Sequence, residues 1–371
     1  MSSLKTIEDA TQDSRFAIQP AHKIIIPNDE PTKTSNKRNG VVRAYAANTN
    51  QGLVRNYNED RVSIITNLLP PKSRKDIDPD KWPRCSYFGI YDGHGGALCA
   101  DFLRDNLHHY VINETSFPQN PKEAIVTGFA KAEKAFMDKI YNPATNELKD
   151  KSGSCAIVVL IVQDICYVAN VGDSRAVLSS EEGRRVYPLS LDHKPGEDSE
   201  AQRIRDAGGE IYYRTATNQI ITYDKDKMNK YQQYNLAGPL RVLPGRLSVA
   251  RTFGDPEAKI PALNGNPNVV IHNPEIKSFQ IKKEHDFIVL GCDGIYDKMS
   301  NADSVQCVWR AAHDNKHHPS VKGQVQDVHK MCGMGIEYVL KNSLLRRSLD
   351  NVTVVIIGFN NFKHALFGHA Q

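Results

Sequence analysis

Residues 156–178, AIVVLIVQDICYVANVGDSRAVL, contain three short apolar runs and no helix-length segment between them. The runs 156–162, 166–170 and 176–178 are rich in β-branched residues, and short polar or glycine-containing stretches separate them. Such runs predict strands joined by tight turns. Because parallel strands need a long crossover connection, these strands are expected to pair as antiparallel hairpins.

Strand-length apolar runs recur along the chain at 62–66, 87–91, 287–290 and 352–357. Helical periodicity separates them, and it predicts helices at 97–111, 121–140, 301–312 and 321–345. Ser199 and Gln202 have the spacing of a capping box for a further short helix, which Gly208-Gly209 would end. The pattern predicts an α/β (α+β) fold with antiparallel or mixed sheets covered by helix pairs.

Composition shifts divide the chain into segments. Residues 1–38 are polar and lack sustained periodicity, so we expect a flexible N-terminal extension that docks one short segment at most. One folded domain is expected at 39–360, followed by a C-terminal tail at 361–371. Residues 212–245 have weak periodicity and two Gly/Pro pairs, which predicts a long surface insertion suited to substrate contact.

Composition also limits the classes of partner. The 47 basic and 43 acidic residues give a net charge of +4, which is too balanced to indicate nucleic-acid binding. The seven cysteines lack metal-site or redox spacing, so buried free thiols in a reducing compartment are expected. The sequence shows no secretory leader, no myristoylation signal and no membrane-spanning run, so a cytoplasmic protein, also able to enter the nucleus, is expected.

Acidic residues recur at the ends of the apolar strands. Glu59-Asp60 precedes one strand, Asp92 and Asp293 each follow one, and Asp350 precedes another. Any single Asp-Gly pair could simply close a strand with a turn. Four such ends together indicate a site for hard divalent cations, because clustered carboxylates repel one another unless cations neutralise them.

A histidine lies within a glycine-rich loop beside one of these acids. The segment Asp92-Gly93-His94-Gly95-Gly96 places His94 two residues after the acid, and the loop leads into a predicted helix. A lone histidine is often structural, but the neighbouring candidate ligand favours a catalytic role for this one.

Seven short motifs follow one another along the chain. They are Arg55-x-x-Asn58-Glu59-Asp60, the 92–96 loop, Gly172-Asp173-Ser174-Arg175, Asp192-His193-Lys194-Pro195, Leu247-Ser248-Val249-Ala250-Arg251, Asp293-Gly294-Ile295-Tyr296-Asp297 and Asp350-Asn351. In these motifs and their order, over roughly residues 41–359, the chain resembles the metal-dependent protein phosphatase family, the type 2C serine/threonine phosphatases.

The resemblance implies a central β-sandwich of two mainly antiparallel sheets with helices on both outer faces. It also implies two Mg²⁺ or Mn²⁺ ions. Asp92 would bridge them, Asp293 and Asp350 would complete one, and Glu59 with the Gly93 carbonyl would complete the other. Asp60 would hold metal-bound water.

The implied reaction is hydrolysis of phosphoserine and phosphothreonine in protein substrates by direct attack of a metal-bridging hydroxide. Arg55 would grip the phosphate oxygens, with a surface salt bridge as its alternative role, and His94 would protonate the departing oxygen.

Asp173 and Asp297 match positions that, with Asp293, hold a third, weaker ion in some relatives. A structural turn is the alternative for Asp173. The chain departs from the usual family pattern at Cys155, Cys292 and Tyr296, where Thr, Ser and Trp are common.

Two other functions compete with this reading. A pseudophosphatase would bind phosphoproteins without turnover, but such a chain is expected to lose a ligand, whereas Glu59, Asp92, Asp293 and Asp350 are all acidic. A two-metal nuclease would use the same chemistry on another ester, and the balanced charge disfavours it. We therefore expect phosphorylated protein substrates, no nucleic-acid partner, no integral membrane segment and a monomer.

Overall fold

The computed structural model describes residues 26, 29–215, 219–223, 238–315, 317–318, 321–323 and 327–368. Its strands, in chain order, are β1 (Lys33–Ser35), β2 (Ala44–Asn50), β3 (Arg61–Ile65), β4 (Cys85–Tyr91), β5 (Gly93–His94), β6 (Tyr141–Asn142), β7 (Glu147–Leu148), β8 (Gly153–Ser154), β9 (Ala156–Val162), β10 (Ile165–Val171), β11 (Arg175–Ser180), β12 (Arg185–Pro188), β13 (Glu210–Arg214), β14 (Ile220–Thr222), β15 (Arg241–Leu243), β16 (Phe253–Gly254), β17 (Glu275–Gln280), β18 (His285–Gly291) and β19 (Val352–Gly358).

The α-helices of the described residues lie between and after these strands. They are α1 (Leu98–Ile112), α2 (Pro121–Ile140), α3 (Asp198–Asp206), α4 (Pro256–Lys259), α5 (Asp293–Tyr296), α6 (Asn301–Asn315), α7 (Val328–Leu345) and α8 (Asn360–Phe367). Short 3₁₀ turns occupy Pro79–Lys81 and Pro261–Leu263.

Two antiparallel sheets form the centre of the molecule. One has six strands in the order β1-β2-β19-β18-β11-β12, and the other has five in the order β17-β10-β9-β4-β3. Every pairing within these two sheets is antiparallel. The fold class predicted from the strand spacing and from the family resemblance is therefore confirmed.

Side-chain alternation along β9 shows how the layers are held together. Ile157, Val159 and Ile161 belong to a buried cluster that includes residues of both sheets, so they fill the interior of the sandwich. Val158 and Leu160 point the other way and join a second cluster with residues of α1 and α2. Because successive residues of a strand face opposite sides, one fully apolar strand can serve both layers.

A helix pair covers each outer face. Helices α1 and α2 pack on each other and on the five-stranded sheet, and α6 and α7 pack on each other with α7 against β2 and β19. A third, smaller cluster joins α3 to the sheet β14-β13-β15. The sandwich therefore has helices on both sides, and its strand ends remain available for a site.

Two local predictions are wrong, one about the pairing of β11 and one about the cap of α3. β9 and β10 form the expected hairpin, but β11 leaves that sheet and pairs with β12 and β18 of the other one. The short helix α3 begins at Asp198 after Glu197, and no side-chain hydrogen bond caps it, so Ser199 lies inside its first turn. The local pattern could not reveal the change of sheet, because both arrangements need only a short connection.

The folded domain begins before residue 39. Strand β1 pairs with β2, with Lys33 opposite Ala47, so part of the predicted extension is an edge strand. This strand was not predicted, because three residues are too few to show a period-2 pattern. Residues 1–25, 27 and 28 of that extension lie outside the described residues.

The predicted C-terminal tail is also partly folded. Residues 360–367 form α8, whose Phe362 is fully buried and whose Leu366 is nearly so, and this helix packs against β18. The predicted insertion at 212–245 is partly a sheet, because it begins within β13 and contains β14 and β15, which both pair with β13. Residues 216–218 and 224–237 lie outside the described residues.

None of the helices formed by the described residues combines the length and the apolar character needed to cross a bilayer.

Candidate active site

Four strand ends place acidic residues at one end of the sandwich. β3 begins just after Asp60 and β4 ends just before Asp92, and these two strands pair with Arg61 opposite Tyr91. β18 ends shortly before Asp293, and β19 begins shortly after Asp350. Because antiparallel neighbours start and finish at the same edge of a sheet, the alternation of strand starts and strand ends gathers these carboxylates together.

The carboxylates meet in two compact groups. One oxygen from each of Asp92, Asp173 and Asp293 lies within 4.8 Å of the others, and the same holds for Asp60, Asp92 and the Cys292 Sγ. Asp92 belongs to both groups, which is the position expected of a bridging ligand. The Thr353 hydroxyl donates to Oδ2 of Asp60 across 2.6 Å and so fixes its orientation.

Burial and mutual repulsion perturb these acids. Desolvation, followed by the charge of the neighbouring carboxylates, raises the pKa of Asp92 and of Asp293 well above the ordinary value. Desolvation also raises the pKa of Asp60 to about 6, and that of Asp173 to about 6 although Lys194 opposes the shift. Such a cluster of acids is stabilised by neutralisation, either by protons or by cations.

Protein cations do not neutralise the centre of this cluster. Among the residues that the structure describes, no Lys or Arg forms an ion pair with Asp92 or Asp293. The donors there are mainly carboxylate oxygens, the ligand type of Mg²⁺ and Mn²⁺. The residues present therefore fit the divalent cations that the sequence predicts, with the Cys292 thiol as a departure from an all-oxygen donor set.

Glu59 is buried beside this cluster but belongs to neither group. Its Oε1 accepts a 2.7 Å hydrogen bond from the Gly96 amide, and its own amide donates to Oδ1 of Asn351 across 2.9 Å. The Asn351 side chain also donates to the carbonyls of Gln51 and Tyr57, so it anchors the segment that carries Glu59. No role was predicted for Asn351 from the sequence, although its position directly after the predicted ligand Asp350 indicated that it lies near the site.

Gly93 is buried in β5 and lies close to the same segment. A Cβ built on Gly93 would stand 2.6 Å from the carbonyl oxygen of Glu59, so a side chain does not fit there. This close approach explains why glycine follows Asp92.

Arg55 and Asp350 are bonded to each other. The Arg55 guanidinium donates to Oδ2 of Asp350 across 2.7 Å, with the arginine side chain 49% exposed and the aspartate 36% exposed. The residue predicted to grip phosphate thus lies at the rim of the carboxylate cluster. Its bond to a predicted metal ligand is compatible with either of the roles considered from the sequence.

Lys194 contacts both residues predicted to hold a third ion. Its Nζ donates to Oδ1 of Asp297 across 2.6 Å and lies 3.8 Å from Oδ2 of Asp173. The ammonium group therefore supplies part of the positive charge that a third cation would bring. From the sequence, Lys194 was identified only as part of a motif.

His94 lies at the same end, but its partner was missed. Its Nε2 is 2.8 Å from Oδ2 of Asp255, and that carboxylate is 8% exposed. Burial alone would lower the pKa of His94, but the carboxylates of Asp255, Asp173 and Glu59 together more than offset this, so the pKa lies above its ordinary value. Asp255 follows Leu247–Arg251 by four residues, and extending that motif would have found it.

The three departures from the family pattern make local contacts. The Cys155 thiol donates to Oδ1 of Asp173 across 3.5 Å, and the Cys292 thiol donates to the Asn351 carbonyl across 3.4 Å. Burial, followed by nearby carboxylates, raises the pKa of both thiols well above the ordinary value. Tyr296 packs beneath the Arg175 guanidinium, 4.9 Å from the ring centre.

Comparison with known proteins places the chain in a family. The family model described as Protein phosphatase 2C matches residues 55–330. "Protein phosphatase 2C homolog 2" of Hypocrea jecorina is 32% identical over 335 residues, covering 88% of this chain and 65% of that protein. The Aspergillus fumigatus protein of the same description is 31% identical over 299 residues, covering 78% of this chain and 58% of that protein. The chain thus spans about three fifths of the length of these two relatives.

Solved structures show the same fold. A serine-threonine phosphatase 2C from Toxoplasma gondii superposes with a TM-score of 0.61 at 19% identity, covering 89% of this chain and 99% of that one. This agreement extends over nearly the whole of both chains and shows a shared fold. The family itself is shown by the family model, which matches most of this sequence. The chain therefore belongs to the protein phosphatase 2C family.

Proposed function

We propose that this protein is a metal-dependent phosphatase that hydrolyses phosphoserine and phosphothreonine in protein substrates. The proposal rests on the carboxylate cluster, in which one oxygen from each of Asp92, Asp173 and Asp293 lies within 4.8 Å of the others. Among the described residues, no Lys or Arg forms an ion pair with Asp92 or Asp293. Burying like charges together is unfavourable unless a ligand compensates them. Family membership supports the same reaction.

Two Mg²⁺ or Mn²⁺ ions fit this cluster best. Asp92, Asp293 and Asp350, together with Glu59 and the Gly93 carbonyl, would hold them. When bound, the ions would supply a water activated near neutral pH for attack on phosphorus. A third, weaker ion would lie between Asp173, Asp297 and Asp293.

The protein's own groups would position the phosphate and move a proton. Arg55 lies at the rim of the cluster, and its planar guanidinium matches two phosphate oxygens at once. His94 would hold the proton that the departing seryl or threonyl oxygen needs. Asp60, fixed by Thr353, would accept a hydrogen bond from water in the site.

Partners and compartment are part of the proposal. We propose phosphorylated proteins as substrates and a monomeric enzyme that acts in the cytoplasm and nucleus. All seven cysteines are free and buried, which is typical of proteins from reducing compartments.

Three test compounds distinguish a phosphatase from a pseudophosphatase and from a nuclease. The purified protein, with Mn²⁺, is given a phosphothreonine peptide, a single-stranded DNA oligonucleotide and a non-hydrolysed phosphopeptide analogue. Release of inorganic phosphate from the peptide alone supports the proposal. Binding of the analogue without phosphate release would indicate a pseudophosphatase, and cleavage of DNA would indicate a nuclease.

A further inference from the structure

His94 lies on one outer strand of a small sheet, and Asp255 lies just beyond the end of the other. Its order is β16-β8-β5, and β8 pairs with both neighbours, so Gly153 stands opposite His94 on one side and opposite Gly254 on the other. Asp255 directly follows β16. The 2.8 Å contact between the imidazole Nε2 and the Asp255 carboxylate therefore spans the middle strand.

The middle strand leaves room for this contact because its residue there is glycine. A Cβ built on Gly153 would lie 1.9 Å from Oδ2 of Asp255 and 2.6 Å from Nε2 of His94. Even the smallest side chain would thus occupy the space in which the two groups meet. The sequence Ser152-Gly153-Ser154 provides the only residue type that fits.

The backbone at Asp255 is held in an unfavourable conformation. Its φ and ψ are 55° and 60°, in the left-handed region that residues with a side chain seldom adopt. The Asp255 amide donates to the Ser152 carbonyl across 3.1 Å, and Pro256 follows at once. Strain of this kind persists where the surrounding structure enforces it, and it often marks a functional position.

A buried ion pair holds the backbone on the N-terminal side of Asp255. Lys259 donates from Nζ to Oε1 of Glu133 across 2.5 Å and to the Thr252 carbonyl across 2.6 Å, and Oε2 of Glu133 accepts from the Gly254 amide across 2.9 Å. The Lys259 side chain is 5% exposed and the Glu133 side chain 7%. The pair thus ties the segment before Asp255 to helix α2, far more firmly than an exposed loop would be held.

We propose that Asp255 is a positioning residue that fixes the ring of His94 with the proton on Nε2. The carboxylate can only accept, so it selects the Nε2–H form and leaves Nδ1 as the nitrogen that carries the transferable proton. Gly153 is part of this arrangement because it keeps the space over the middle strand open. This inference rests on the proposed function, in which His94 serves as the proton donor.

The leaving group of the substrate provides the test. An alkoxide needs the proton when it departs, whereas p-nitrophenolate leaves readily as the anion, so loss of general-acid catalysis slows phosphopeptides selectively, by about 10² to 10⁴. We expect Asp255→Ala to lower kcat for a phosphothreonine peptide by about 10² or more and to change p-nitrophenyl phosphate turnover only slightly. His94→Gln should give the same pattern, and the double variant should lose no more than His94→Gln alone.

Asp255→Asn covers the case in which the alanine variant fails to fold. The amide keeps the shape of the carboxylate but offers a donor as well as an acceptor, so the ring is no longer restricted to one form. The same selective loss is expected. Glu257→Gln is the matched control, because Glu257 is an exposed residue of the same segment that pairs only with exposed Lys151 among the described residues.

Equal losses on both substrates, or additive losses in the double variant, would overturn the proposal. A second readout needs no turnover: NMR of the ¹⁵N-histidine-labelled, metal-free protein should show the His94 Nε2–H proton shifted downfield and protected from exchange by its hydrogen bond to Asp255, and Asp255→Ala should abolish that signal. A wild-type protein inactive on both substrates would refute the proposed function. The NMR result would still decide the role of Asp255.

Discussion

Arg55 donates a hydrogen bond from Nη2 to Oδ2 of Asp350 across 2.7 Å, so a group suited to phosphate is bonded to a carboxylate suited to metal. Both side chains are partly exposed, and the bond is therefore one that a phosphate or a cation can replace at modest cost. A bound phosphate would draw Arg55 away from Asp350, and a bound metal ion would draw Asp350 away from Arg55.

Replacing Arg55 tests whether it contacts the substrate phosphate or only supports Asp350. Arg55→Ala should lower kcat/KM for a phosphopeptide by about 10- to 100-fold, since hydrogen bonds to charged groups contribute about 1.5–3 kcal/mol. Metal affinity, measured by calorimetry, should be unchanged or slightly tighter because Asp350 loses a competing partner. A variant that binds metal more weakly but keeps its kcat/KM at saturating metal would show that Arg55 merely supports Asp350.

The carboxylates should differ in importance. Asp92 belongs to both compact groups and Asp293 to one, so Asp92→Asn and Asp293→Asn should reduce turnover by orders of magnitude and weaken metal binding. Asp173→Ala should be milder and appear mainly as a higher metal requirement, because Lys194 already supplies positive charge there. Steady-state assays over a Mn²⁺ titration measure both effects. If Asp173→Ala and Asp92→Asn were equally damaging at saturating metal, this ranking would be wrong.

Stability without metal should depend on pH in an unusual direction. The pKa of Asp60 is raised to about 6 by burial, above that of an unfolded chain, so the folded state binds more protons between about pH 4 and 6. The contribution of Asp60 to stability is therefore present at low pH and is lost as pH rises through about 6.

Comparison with Asp60→Asn isolates this contribution from other titrations. In EDTA, the variant should be more stable than wild type at pH 7, by about 1.4 kcal/mol for each unit of the shift at most, and the difference should shrink towards pH 4. Urea unfolding at several pH values gives the difference. Equal stabilities at pH 7, or a larger advantage at pH 4, would contradict the perturbation of Asp60.

The Glu133–Lys259 pair should be costly to break from one side. Lys259→Met leaves a buried carboxylate without its counter-charge, which typically costs about 3–5 kcal/mol of unfolding free energy. The double variant Glu133→Gln/Lys259→Met should recover much of that loss. Lys134→Met, which removes an exposed pair with Asp138 on the same helix, should cost less than about 1 kcal/mol. Similar losses for Lys259→Met and Lys134→Met would show that burial of the first pair has little energetic effect.

The sequence predicted the features that local patterns determine. The apolar runs predicted the central strands, and β9 and α2 have the predicted bounds, because strand and helix periods are properties of short segments. Acidic residues at strand ends likewise indicated where the carboxylates would meet.

Features that depend on distant segments were not predicted. The exchange of β11 into the other sheet, the Asp255 partner of His94 and the Lys194 contacts with Asp173 and Asp297 all join residues that are separated in sequence. α8 was missed because its apolar residues are few and gain their burial from β18. The periodicity of a short segment carries no information about contacts with distant segments.

The decisive measurement is whether phosphate release requires a divalent cation bound by the carboxylate cluster. The protein is dialysed against EDTA, transferred to metal-free buffer and assayed on a phosphothreonine peptide while Mn²⁺ or Mg²⁺ is added, with Asp92→Asn as the matched control. We expect no activity without metal, recovery that saturates with added cation, and little recovery for the variant. Undiminished phosphate release in metal-free buffer containing EDTA would contradict the account.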